Sequence, residues 1–131
     1  MTLHSMAIER GAYAYMDGSG LSRMNMVSPD QLVRLLRHMS RHEFFKEFYD
    51  ALPVAGIDGT IESRLKGTSA EGNVRAKTGT LGHVRCLSGY IKTPDGEMVA
   101  FSMLANNFLA SNRAAEYVQD SALELLARFS R

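Results

Sequence analysis

Residues 73–105 read NVRAKTGTLGHVRCLSGYIKTPDGEMVAFSMLA, and this stretch decides the fold class. Asn73 to Leu81 reads as a first strand and His83 to Lys92 as a second. In the second, Val84, Cys86 and Tyr90 share one face while Leu87 and Ile91 share the other, the period-two signature of a pleated strand. Thr93-Pro94-Asp95-Gly96 is a turn: proline presets one backbone angle and glycine supplies the left-handed one. Met98 to Ala105 is the third strand, and its apolar residues point to both faces, which predicts cover on each side. A tight turn between neighbouring strands makes the pair antiparallel.

Helical patterns flank the strands. Ser28 is placed to cap a helix, with Pro29 as its first residue and Gln31 as the reciprocal capping partner. Leu32, Leu35, Leu36 and Met39 follow at helical spacing. A second helix is expected over Glu43 to Ala51, ending before Pro53, then a loop from Pro53 to Gly59 and a helical turn around Ile61 to Lys66. Near the start, Leu3 to Arg10 reads as a short helix stopped by Gly11, and Asp17-Gly18-Ser19-Gly20 as a turn. A long helix closes the chain from about Asn112 to Phe129, with Ala115, Val118, Ala122, Leu125 and Phe129 as the stripe expected to pack on the sheet. Helices, three strands and a helix make an α+β arrangement, an antiparallel sheet flanked by helices.

The 131 residues suit one compact domain or part of a larger one. A net charge of +1 gives no reason to expect nucleic acid or an anionic membrane as partner. No apolar run approaches a bilayer-spanning length, and no signal peptide is visible, so the chain either stays inside the cell or starts elsewhere than the gene product does. The lone Cys86 excludes disulfides and cysteine-based zinc, and reads as a buried small hydrophobe. His38 and His42 stand four apart, and are read as cationic groups at a polar helix end rather than metal ligands. No metal and no cofactor is expected.

The chemistry lies in Ala76-Lys77-Thr78-Gly79-Thr80-Leu81. Lys77 offers a point positive charge and Thr78 a hydroxyl donor, a pair suited to a carboxylate. Gly79 lets a substrate backbone lie against the strand, and the Thr80 N–H is a candidate oxyanion donor. The triplet alone is weak evidence, and it is not a P-loop, because the glycine pattern before the lysine is wrong. Around it stand Asp17-Gly18-Ser19-Gly20-Leu21-Ser22-Arg23 with Asn25, then Val27-Ser28-Pro29, then Leu52-Pro53-Val54-Ala55-Gly56 with Asp58-Gly59-Thr60 and Arg64, and finally Leu87-Ser88-Gly89-Tyr90. In this order and spacing, from about Asp17 to Asn106, the set closely resembles the class C low-molecular-mass penicillin-binding proteins, serine D-alanyl-D-alanine carboxypeptidases and endopeptidases.

The resemblance implies the C-terminal part of a transpeptidase domain of the penicillin-binding-protein and serine β-lactamase type. It implies Lys77 as a catalytic-motif residue, with Thr78, Gly79 and Thr80 on the substrate. The implied ligands are a peptidoglycan stem peptide ending in D-Ala-D-Ala and the β-lactams that mimic it, and the implied location is periplasmic or otherwise extracytoplasmic. The family's nucleophile motif Ser-x-x-Lys and its Ser-x-Asn motif are expected upstream of residue 1. That would leave the chain inactive alone, with the missing N-terminal part of the domain or a second copy as its partner. No Ser-x-Asn occurs here; Ser22-Arg23-Met24-Asn25 has one residue too many and reads as a structural loop braced by Asp17. Ser63-Arg64-Leu65-Lys66 has the nucleophile spacing but stands in a connecting segment, and is read as a polar surface turn. Three functions stay open: a segment of a serine carboxypeptidase, a non-catalytic peptide- or protein-binding domain derived from that fold, and a small hydrolase using Ser63 and Lys66.

Overall fold

The computed structural model describes residues 6–9 and 11–131. The elements run α1 (Pro29–Met39), α2 (Phe45–Asp50), a 3₁₀ turn (Gly59–Ile61), β1 (Arg75–Leu81), β2 (Val84–Lys92), β3 (Met98–Asn106) and α3 (Asn112–Arg128). The strands form one antiparallel sheet in the order β1-β2-β3. Of the helix expected over Leu3 to Arg10, residues 6–9 are described and form no α-helix: Ala7 turns left-handed at φ +56°, which breaks the helical path. The other four lie outside the described residues.

The local signals act as their chemistry dictates. The Ser28 hydroxyl accepts from the Gln31 N–H at 3.3 Å, and the Gln31 side chain accepts from the Ser28 N–H at 2.9 Å. At the β2–β3 turn Gly96 has φ +86°, and the Thr93 N–H donates to the Glu97 carbonyl at 2.9 Å. The β1–β2 turn takes one residue more than expected: His83 lies in it at φ +58°, and β2 starts at Val84. The helical turn expected at Ile61 to Lys66 is not helical throughout, because the 3₁₀ turn ends at Ile61 and Leu65 turns left-handed at φ +61°. Leu65 is buried there, so the core holds the strained backbone in place.

Both faces of the sheet are covered. On one, Ala76, Leu87, Ile91 and Phe101 pack with Ile61, Val74 and with Leu123 and Ala127 of α3. On the other, Tyr90 is fully buried among Phe45, Phe48 and Tyr49 of α2, at ring centroid distances of 5.5, 6.4 and 5.7 Å. Its hydroxyl donates to the Leu36 carbonyl of α1 at 2.7 Å, which satisfies the one polar atom that burial would otherwise penalise.

The sheet-packing stripe of α3 differs from the expected one. Leu123 is 0% exposed, whereas Val118 is 67% and Leu125 72% exposed, and Phe129 also faces outward. The packed face runs through Gln119, Leu123, Leu126 and Ala127. The helix has two apolar sides, and the polar Gln119 disguises the buried one. Its amide donates to the Arg85 carbonyl at 3.2 Å, so burial there is compensated.

Gly89 marks the tightest approach in the sheet. A Cβ at that position would lie 2.1 Å from the Arg75 carbonyl oxygen and 2.6 Å from the Ala76 Cα, both backbone atoms. Gly89→Ala is expected to destabilise the chain by at least about 3 kcal/mol, read as a lowered urea midpoint. Burial pushes the Tyr90 hydroxyl from 10.0 up to about 12. Its neutral form therefore supports the fold fully below pH 10.0, and that support is lost as pH climbs toward about 12. Alkaline urea titrations are expected to show this loss in the native chain and a flatter profile in Tyr90→Phe.

Candidate functional site

The pattern of backbone bonds around β1 sets the site. The Ala76 N–H donates to the Pro53 carbonyl at 3.0 Å, and the Ala55 N–H donates to the Val74 carbonyl at 2.9 Å. Ala76 thus turns its backbone away from β2, toward the 53–55 loop. Alternation along a strand gives Thr78 and Thr80 the same outward direction. The loop covers only the first part of this edge, where Val54 bridges Arg75, and the Thr78–Thr80 stretch lies beyond it. The sequence placed a binding edge at this triplet, and the structure puts it on a sheet strand with outward N–H groups at Thr78 and Thr80.

A cavity of about 300 Å³ opens beside that edge, lined by Thr60, Arg64, Lys77, Thr78, Thr80, Arg85, Cys86, Glu116 and Gln119. The Lys77 ammonium donates to the Thr78 carbonyl at 2.8 Å, and the Thr78 hydroxyl donates to the Thr60 hydroxyl at 2.9 Å. Gly79 lies over Cys86, and a Cβ there would come within 3.2 Å of the Cys86 Cβ. Cys86 is half-buried and lines the cavity instead of lying fully in the core, and burial raises its thiol above the ordinary range, so it stays protonated.

The two arginines in the cavity wall are neutralised by α3. Arg64 pairs with Asp120 at 2.6 Å and also donates to the Glu116 carbonyl and the Gln119 side chain. The Arg85 Nε lies 3.4 Å from Glu116 Oε1, close enough for charge attraction but outside hydrogen-bond geometry. Its Nη1 donates to the Leu81 and Val84 carbonyls. Lys77 has no carboxylate partner among the described residues, so the ammonium is the cation this cavity leaves available to an incoming anion.

Sequence reasoning named Lys77, Thr78, Gly79 and Thr80, and the structure groups three of them in the cavity with Gly79 beside it on the same strand. It missed the roles of Thr60, Arg85, Glu116 and Gln119. Arg85 carried a signal, a lone cation among Val84, Cys86 and Leu87; the α3 residues carried none. Ser63 and Lys66 are exposed on a turn after the 3₁₀ segment, without the helix that would align them. The Asp17 loop is braced as expected: its carboxylate accepts from the Asn25 amide, the Ser19 hydroxyl and the Gly20 N–H, and the Asn25 bond leads in holding Asp17 below the ordinary carboxylate range. Among the described residues no group of His, Cys, Asp and Glu forms a metal site, and no helix is long and apolar enough to cross a membrane.

Residues 1–129 match the D-Ala-D-Ala carboxypeptidase 3 (S13) family. The chain belongs to this family. A D-alanyl-D-alanine carboxypeptidase of Actinomadura is 39% identical over 98% of the chain, and a penicillin-sensitive carboxypeptidase A of Dictyostelium discoideum is 33% identical over 95%. The chain covers 24% and 25% of those two proteins, so it spans about a quarter of their length. The crystal structure of penicillin binding protein 4 from Haemophilus influenzae superposes with a TM-score of 0.83 at 31% identity, covering 97% of this chain and 30% of that one. The same protein complexed with a β-lactam gives 0.84. Over the matched residues the fold, a three-stranded antiparallel sheet with helices, is therefore that of part of penicillin binding protein 4.

Asp120→Ala is expected to destabilise the fold by up to about 3 kcal/mol, because it strands a mostly buried guanidinium. The double variant Arg64→Met, Asp120→Leu is expected to recover most of that loss. Urea unfolding of the three proteins reads the result.

Proposed function

We propose that this chain is the substrate-gripping portion of a serine D-Ala-D-Ala carboxypeptidase acting on peptidoglycan peptides and binding β-lactams. The single observation that carries this reading is the uncompensated Lys77 ammonium at the uncovered edge of β1, bonded to the Thr78 carbonyl in a cavity that Thr78 and Thr80 also line. Lys77 and Thr78 hold the terminal carboxylate of the peptide, Gly79 admits its backbone, and the outward Thr80 N–H donates to the developing oxyanion. The attacking serine and its lysine base come from a separate part of the same domain, so the chain alone grips but does not cleave. Peptidoglycan as substrate places the assembled enzyme outside the cytoplasmic membrane.

The partner that completes the domain is the remaining family segment. Two features support that occupant. β3 is an outer strand with β2 on one side only, and an apolar groove of about 460 Å³ runs beside it, lined among others by Met103, Phe108, Ala115 and Val118. The groove continues into the outward stripe of α3, and so large an apolar face needs cover. The chain's share of its relatives leaves three-quarters of their length to supply it.

A second reading is a non-catalytic peptide- or protein-binding domain derived from that fold, in which the free Lys77 ammonium contacts a carboxylate without catalysis. The test is to express the chain with and without a family segment carrying Ser-x-x-Lys and Ser-x-Asn, then label with a fluorescent penicillin. The expected result is no adduct on this chain, and acylation of the partner's serine only in the pair. In that pair Lys77→Ala slows acylation at least about 100-fold. Thr60→Val, which frees the Thr78 hydroxyl, slows it about three- to tenfold, while Thr60→Ser does not. Self-association of the chain without complex formation, or acylation indifferent to Lys77, sinks the proposal.

A further inference from the structure

Away from the β1 edge, α1 and the turn after it carry Arg34, Arg37, His38, Arg41 and His42. The intervals of three and four put them on one side, opposite Leu32, Leu35, Leu36 and Met39, which face the sheet. The three arginines are exposed. Together with His38, His42, Met6 and Ala7 they line a bowl of about 360 Å³.

The charges in this bowl are poorly compensated. Arg34 pairs with Asp30 at 2.6 Å and donates to the Ala7 carbonyl at 3.2 Å, which fixes it as a wall. Arg37 and Arg41 form no ion pair among the described residues, and the six undescribed residues, Met1 to Ser5 and Arg10, include no carboxylate. The whole chain carries only +1, so three guanidiniums in eight residues are a local concentration rather than general basicity. Cations suit the C-terminal end of a helix, but its partial negative charge of about half an electron does not balance the two guanidiniums, Arg37 and Arg41, left without an ion pair among the described residues.

The two imidazoles add donors. The Phe44 N–H donates to His42 Nδ1 at 3.2 Å, which places the neutral ring's proton on Nε2. His38 Nε2 is buried without a hydrogen-bond partner, an arrangement that folded proteins rarely leave unsatisfied. Guanidinium forks matched to tetrahedral oxygens, with imidazole donors between them, are the chemistry that holds a phosphate.

We propose that the bowl formed by Arg34, Arg37, His38, Arg41 and His42 binds a phosphate group, separate from the carboxylate-gripping edge of β1. The phosphate comes either as a soluble phosphate or as an anionic lipid headgroup. The site does not depend on the carboxypeptidase reading, since none of its residues lines the Lys77 cavity.

The test uses the full chain. Inorganic phosphate is titrated against it by calorimetry at low ionic strength, and vesicles of phosphatidylglycerol or phosphatidylcholine are tested by co-sedimentation. Arg37→Ala with Arg41→Ala is expected to weaken binding by about tenfold or more, with circular dichroism unchanged since both side chains are exposed. Lys66→Ala with Lys92→Ala removes the same charge from exposed positions elsewhere and is expected to leave affinity within about twofold. Binding of inorganic phosphate assigns the soluble source, and binding confined to phosphatidylglycerol vesicles assigns the headgroup. No binding in either arm, or equal loss in both double variants, overturns the proposal.

Discussion

The two edges of β1 are held differently, and the rest of the molecule is arranged around that difference. The inner edge is locked into β2, residue by residue from Arg75 opposite Tyr90 to Leu81 opposite Val84. The outer edge is bonded to the 53–55 loop near Ala76 and uncovered beyond it. An uncovered edge is ordinarily a hazard, because unpaired backbone groups recruit other strands. Here it is short, bears Lys77, and faces a cavity with a polar wall, features that deter indiscriminate pairing and suit an extended peptide.

The position of β1 is held from both sides of the sheet. Gly89 lets the β1 backbone approach β2 closely, and Tyr90 anchors the other face to α1 and α2 through one hydrogen bond and three aromatic contacts. α3 then does more than cover the core. Asp120 and Glu116 neutralise Arg64 and Arg85, so the cavity keeps its guanidinium walls without presenting their full charge. Lys77, whose ammonium is tied to a carbonyl dipole instead of a carboxylate, is left as the cavity's unneutralised cation.

Much of this was legible along the chain because it rests on short-range rules. The Ser28–Gln31 capping box, the Thr93–Gly96 turn, the two-faced β2 and the Lys-Thr-Gly edge each need only neighbours within a few residues. The errors came where two local answers were equally good. α3 offers an apolar stripe through Val118 and Leu125 and another through Leu123 and Ala127, and periodicity alone does not rank them. Gln119 interrupts the second stripe, yet it is buried through bonds to Arg64 and Arg85 that lie 55 and 34 residues away.

The sequence by itself determined the α+β class, the three strands and their turns, the capped α1, the family, and the candidate carboxylate edge at Lys77 to Thr80, since each is written in adjacent side chains and backbone preferences. Only the tertiary structure decided which side of α3 meets the sheet, that Thr60 orients Thr78, that two arginines are silenced, and that α1's cations line one bowl. Those outcomes depend on distances between segments far apart in the chain, and packing sets such distances where local propensity has no say.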